Sequence, residues 1–284
     1  MSRTIALLTD FGVTDSYVGV MKGVMRRINP TAGFIDITHL IEPQNVRAAA
    51  LTLMGAVPYF PAGTVFLVVV DPGVGTARQP IAVETPDYMF VGPDNGVLSY
   101  VLQSMDVRRT VTLSNAEFQL PVVSQTFHGR DIFAPAAAHL SAGVTLPSLG
   151  EAISVLQTFP APRLVVDDDV IEGEVIYIDH FGNVVTSIGQ CRWVESDRLC
   201  LEPRFGSQKA VSFMAGQVTV QLGDAPVQGV ARTYGAVEPG QVLALIGSGG
   251  FLELAVNQGS GAEKLDARIG DRIELRMQDA AISD

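Results

Sequence analysis

The chain has 284 residues, is 47% hydrophobic and carries a formal net charge of −11. That length admits one large domain or two smaller ones, and the apolar content is ample for a packed interior. The acidic balance leaves no basic stripe to displace phosphate counterions, so nucleic acid is not an expected partner. No window reaches the roughly 18 uninterrupted apolar residues of a membrane span, so no membrane is expected either. A cationic small molecule would suit the field of such a chain. Cys191 and Cys200 match no disulfide framework and no metal spacing, and His39, His128, His139 and His180 are dispersed. No metal and no other cofactor is therefore expected.

The chain opens on Thr4–Thr9, an apolar run that reads as a first strand. It lacks the basic stretch and longer apolar core of a signal peptide, which makes a cytoplasmic protein the expectation. Tyr17–Ile28 reads as a helix, Gly33–Ile37 as a strand, Val46–Val57 as a helix and Thr64–Val70 as a strand. That alternation is the signature of a mainly parallel sheet flanked by helices. Asp131–Ser141 reads as a further, Ala-rich helix in which Pro135 fits only near the first turn. The pattern changes at Pro160-Ala161-Pro162. Beyond it Val170–Asp179, Gln217–Leu222, Val242–Ile246 and Arg272–Met277 read as strands with little helix between them. The expected organisation is an N-terminal α/β domain over 1–160 and a smaller C-terminal antiparallel β-barrel domain over 161–284.

Several strands end in polar residues, where open α/β sheets bind their ligands. Val68-Val69-Val70 runs into Asp71, then the turn Pro72-Gly73-Val74-Gly75, then Arg78, which is close enough in sequence to fold back on the carboxylate. The alternative is a solvent-exposed ion pair beyond a tight turn. Asp10, Phe11 and Asp15 follow the first strand. The two carboxylates suit the hydroxyls of a sugar, or else Asp15 or Thr14 caps the helix at Tyr17. Gly92-Pro93-Asp94-Asn95-Gly96 is a turn by composition. Phe127-His128-Gly129 lies at a helix entrance, where an imidazole can face a cleft. Asp179-His180-Phe181-Gly182-Asn183 offers an aromatic face and an amide suited to an adenine edge, or a plain β-turn. Gly247-Ser248-Gly249-Gly250 is a glycine-rich loop able to present amides to a carboxylate, without the Lys-Ser/Thr ending of a phosphate loop.

In order and spacing, these segments resemble the S-adenosyl-L-methionine hydroxide adenosyltransferases, the adenosine-forming hydrolases related to fluorinase and chlorinase. The segments are Thr9–Gly12 through Asp15–Gly19 and Met21–Gly23, then Asp71–Gly75 with Arg78, Gly92–Gly96, Phe127–Asp131, Phe181–Asn183 and Phe251–Asn257. The resemblance implies an N-terminal α/β domain, a C-terminal β-barrel and a homotrimer. Substrate would lie between the N-terminal domain of one subunit and the C-terminal domain of its neighbour. It also implies that Asp71, Arg78 and His128 handle a water. Asp71 and His128 would hold it and take its proton, and Arg78 would balance the carboxylate. Asp10 and Asp15 match positions near the ribose and the methionine end, Asn183 with Phe181 the adenine side, and Asp179 with Ser248 the amino-acid part. The backbone at Val256 and Asn257 matches a base contact. Phe11, Phe127, Phe251 and Glu253 complete the substrate-binding candidates.

Departures within the family point towards water. The halogenating members have a tyrosine at the position of Asp71 and lack the histidine of His128. Fluorinase has a tryptophan where this chain has Gln44, an arginine where it has Gly249, and an inserted loop with no counterpart here. The expected activity is hydrolysis of S-adenosyl-L-methionine to adenosine and L-methionine. The alternatives are a chlorinase-like enzyme and a non-catalytic sensor of S-adenosylmethionine or adenosine.

Overall fold

The computed structural model describes residues 3–206 and 209–278, which divide into two compact units, the first ending at Phe159 and the second beginning at Pro160. In the first unit β1 (Thr4–Thr9), β2 (Gly33–Thr38), β3 (Val65–Val69), β4 (Pro80–Glu84), β5 (Met89–Pro93) and β6 (Arg109–Thr112) form one sheet in the order β2-β1-β3-β5-β4-β6. The pairings among β2, β1, β3 and β5 are parallel. Those of β4 with β5 and β6 are antiparallel.

The two-residue period of the central strands divides the core. Ile5, Leu7, Val65, Leu67 and Val69 join one cluster, with Met21 and Met25 of α1 (Tyr17–Ile28) and the alanines of α4 (Ala134–Ser141). Ala6, Leu8, Phe66, Val68 and Val70 join the other, with Ala49 and Leu53 of α2 (Val46–Ala56). β3 is apolar at every position because both its faces are covered. Helix α3 (Ser99–Leu102) adds Val101 to the second cluster.

Several boundaries differ from the sequence expectation. The predicted 131–141 helix is two segments: Gly129–Phe133 form a π-helical turn, and the α-helix begins at Ala134, which places Pro135 in its first turn. Gly92 and Pro93 belong to β5 rather than to a turn, which starts at Asp94. Neither Thr14 nor Asp15 caps α1; its N-cap is Ser16, with no side-chain bond. Val57 leaves α2 for a 3-10 turn containing Pro58. Strands β4, β5 and β6 have short, unpatterned sequences and were not legible.

The second unit begins with β7 (Leu164–Val166), β8 (Val170–Ile178) and β9 (Val184–Gly189). Next, β10 (Cys191–Trp193), β11 (Arg198–Leu201) and β12 (Val211–Met214) form a separate antiparallel sheet. Then come β13 (Val218–Leu222), β14 (Ala225–Gln228), β15 (Val242–Ile246), β16 (Phe251–Val256), helix α5 (Gly261–Leu265) and β17 (Arg272–Met277). The main sheet runs β14-β13-β17-β8-β9-β16-β15, with β7 beside β8. A bridge between Ala231, just past β14, and Leu245 of β15 nearly closes it into a barrel. No helix among the described residues is long and apolar enough to cross a membrane.

Gly92 faces β3 so closely that an added Cβ would lie 2.6 Å from the Val68 carbonyl oxygen. Gly92→Ala is therefore expected to cost about 1–3 kcal/mol of stability, seen as a lower urea midpoint. An unchanged midpoint would mean that β3 and β5 can part without cost.

Candidate active site

Strand β3 delivers its chain to a buried ion pair. Past Val70, whose carbonyl accepts from Asn95 Nδ2 at 2.9 Å, the backbone turns through Gly73 and Gly75 and returns Arg78 to Asp71. Gly75 has a φ of 76°, and a Cβ on it would sit 2.4 Å from the Gln125 carbonyl oxygen. Only glycine combines that backbone angle with that approach. Arg78 Nε donates to Asp71 Oδ1 at 2.8 Å, and Arg78 Nη2 donates to Asp71 Oδ2. The side chains are 8% and 6% exposed, so this is not the solvent-exposed pair of the alternative reading. The guanidinium also lies 5.2 Å from the centroid of Phe133.

Arg78 Nη2 reaches a third group, His128 Nδ1, at 2.7 Å. A guanidinium only donates, so Nδ1 accepts and the neutral ring carries its proton on Nε2. Burial pushes the His128 pKa below its ordinary value, and the Arg78 charge adds to that effect against the opposing pull of Asp71 and Asp131. His128 is set by its own loop. Buried Asp131 accepts from Ser124 N at 2.8 Å, Ser124 Oγ at 2.7 Å and Arg130 Nε at 2.6 Å. Ser124 Oγ in turn accepts from Phe127 N at 3.1 Å. Asp71, Phe127 and His128 line one cavity of about 140 Å³ together with Phe11 and Tyr17.

The other first-unit candidates lie apart from that cavity's wall. Asp10 accepts from Gln44 N at 2.8 Å, anchoring a loop in which Gln44 has a φ of 67°. Asp15 is exposed ahead of α1. His39 is buried between Thr9 Oγ1, 2.9 Å from its Nδ1, and Asp36 Oδ1, 3.1 Å from its Nε2, where it ties the ends of β1 and β2.

In the second unit, Asp179–Gly182 is a β-turn closed by Gly182 N to Asp179 O at 3.0 Å. The Asp179 carboxylate accepts from Phe181 N at 2.9 Å, Asn183 N at 2.8 Å and Asn183 Nδ2 at 2.8 Å. Asn183 Nδ2 also donates to Tyr234 Oη at 3.3 Å. Both amide hydrogens are thus engaged, and Oδ1 is left to accept. Phe181 is 76% exposed. Ser248 is exposed in the turn between β15 and β16. Phe251 and Val256 are buried, with Phe251 stacked on Phe205 at 6.3 Å. Glu253 has its pKa pushed up to about 7 by burial and by Asp179. Tyr234 is raised by burial and by the same two carboxylates. Among the described residues no three His, Cys, Asp or Glu side chains are grouped to hold a metal ion. Sequence reasoning overlooked Tyr17, Asn95, Asp131 and Tyr234. Tyr17, Asn95 and Asp131 lie inside quoted motifs without a role of their own there, whereas Tyr234 becomes visible only through its contacts.

Nuclear magnetic resonance should show the His128 ring titrating below the ordinary value of about 6.5. Arg78→Gln removes one cause of that depression and should move the midpoint up. No movement would mean that Arg78 does not face the ring.

Residues 5–150 match the family model described as the SAM hydroxide adenosyltransferase N-terminal domain, and residues 173–274 match the corresponding C-terminal domain. The chain is 40% identical to an (R)-S-adenosyl-L-methionine hydrolase of Salinispora tropica, over 95% of this chain and 97% of that protein. It is 36% identical to an (R)-S-adenosyl-L-methionine hydrolase of Thermus thermophilus, over 96% of this chain and 99% of that one. The crystal structure of an uncharacterized conserved protein from Thermotoga maritima superposes with a TM-score of 0.82 at 40% identity, covering 96% of this chain and 99% of that chain.

Proposed function

Because the chain belongs to the SAM hydroxide adenosyltransferase family, we propose that it hydrolyses S-adenosyl-L-methionine to adenosine and L-methionine. The observation that carries this reading is Arg78 joined to both Asp71 and His128 beyond the carboxyl end of β3.

The substrate sulfur is a sulfonium. As the C5′–S bond breaks, its electron pair goes to sulfur and methionine leaves as a neutral thioether. The leaving group needs no acid, and the step needs neither metal nor redox cofactor. The demand falls on water, which must lie behind C5′ in line with sulfur, form the O–C5′ bond and lose a proton. Alignment of this kind supplies several kcal/mol.

The hydrogen bonds support a division of two roles between His128 and Asp71. Nδ1 of His128 is taken by Arg78, so Nε2–H is the group that donates to the water oxygen and orients it. Asp71 keeps lone pairs beyond those Arg78 uses, and it accepts the proton. A carboxylate able to take a proton at that position favours water over halide as nucleophile. Asp10 and Asp15 are assigned to the ribose and methionine end, with Phe11 and Phe127 beside the reacting carbon. In the second unit, Asn183 with Phe181 is assigned to adenine and Asp179 with Ser248 to the amino-acid part. Glu253 and the backbone of Phe251 and Val256 support them. The assembly proposed is a homotrimer, with substrate held between one subunit's N-terminal domain and its neighbour's C-terminal domain.

Asp71→Asn and His128→Ala should each lower kcat by about 10²–10⁴-fold with far smaller changes in KM. Near-normal turnover in both variants would overturn the mechanism. The Arg78 bond requires neutral His128, whose pKa is depressed, so kcat/KM should fall on the acid side only below about pH 6.5. Time courses with S-adenosyl-L-methionine, with and without chloride, check the nucleophile by the nucleoside formed. For the assembly, mixing inactive Asp71→Asn and Asp179→Ala chains by unfolding and refolding should restore part of the activity. No recovery would count against a shared site.

A further inference from the structure

Three aromatic rings stand together in the wall of the Asp71–His128 cavity. Tyr17 lies 5.8 Å from Phe11 and 5.1 Å from Phe127, and Phe11 lies 5.9 Å from Phe127, with interplanar angles of 56°, 81° and 73°. Rings so arranged are usually core packing, yet Tyr17 is 47% exposed at the first position of α1. A half-exposed aromatic ring beside a reaction centre suits a cation. Arg130 already illustrates this, with its guanidinium 5.2 Å from the Phe127 centroid.

The charge balance of the cavity sharpens the point. Asp71 is committed to Arg78, and the pair is neutral as a unit. The depressed pKa of His128 favours its uncharged form. The acidic net charge of the chain therefore does not reach a sulfonium here through a free carboxylate of this set. Resting on the hydrolase reading above, we propose that Tyr17, backed by Phe11, is the specificity residue that recognises the positive charge of the substrate sulfur. In an in-line displacement the water and the sulfur flank the same carbon, so rings lining the water's cavity are close to the sulfonium as well.

The direction of the effect follows from the chemistry. The sulfur is cationic in the bound substrate and loses that charge as the C5′–S bond breaks. Attraction to the ring is strongest before reaction and fades along it, so it serves binding and selection rather than acceleration. It also releases methionine, which has lost the charge, and disfavours neutral thioether analogues.

The test compares wild type, Tyr17→Leu and Tyr17→Phe. Steady-state kinetics use S-adenosyl-L-methionine, and calorimetry uses S-adenosyl-L-homocysteine, the uncharged thioether. Tyr17→Leu is expected to raise KM roughly 3- to 30-fold without lowering kcat. It should change the thioether dissociation constant less than about twofold, and Tyr17→Phe should stay near wild type. Equal weakening of both ligands would reduce Tyr17 to apolar packing and overturn the proposal. A fall in kcat at unchanged KM would overturn it too. Absence of hydrolysis by the wild-type protein would instead sink the hydrolase reading itself, so the two failures are told apart.

Discussion

A buried carboxylate–guanidinium pair makes strong demands on the protein that holds it. Taking both charges out of water is costly unless the geometry is close and further hydrogen bonds support the pair. Asp71 and Arg78 meet that condition with two parallel hydrogen bonds, a third from Arg78 to His128, and an aromatic ring beside the guanidinium. Much of the surrounding first unit can be read as support for this arrangement. Asn95 holds the strand end, Gly75 lets the turn lie against the 124–128 loop, and Asp131 ties that loop to itself. The pair is poor evidence for stability but good evidence for a function that requires it.

The sheet explains why this cluster forms where it does. β1 and β3 are neighbouring parallel strands, so their carboxyl ends open on the same edge. Residues past those ends, Phe11 and Asp71, share a cavity although 60 positions apart in the chain. The π-helical turn before α4 brings His128 to the same edge. Buried strands give the site a rigid floor, and the loops give it chemistry.

Electrostatics divides the labour between the groups. Arg78 is spent on two partners, and its charge is balanced by Asp71. The substrate's own charge makes sulfur a good leaving group, so the protein need not supply an acid. In the proposed mechanism, what remains for it is to align a water and to take its proton. In the second unit the raised pKa of Glu253 marks a different environment, where two carboxylates and Tyr234 crowd one another.

The sequence by itself determined the class of the fold. Unbroken apolar runs such as Thr4–Thr9 and Thr64–Val70 dictate strands buried on both faces of a parallel sheet, and the motif series named the family. It also singled out Asp71, Arg78 and His128. It did not determine whether Arg78 bonds one partner or two, which nitrogen of His128 is left free, or that Tyr17 lines the cavity. Nor did it separate Asn183's amide as free or spent, show Phe251 as core, or place Gly92 inside a strand. These depend on which backbone surfaces meet across dozens of residues, and local pattern carries no record of distant partners. Tertiary packing decided them, because hydrogen-bond acceptance, burial and ring placement exist only once the loops have been brought to one edge of the sheet.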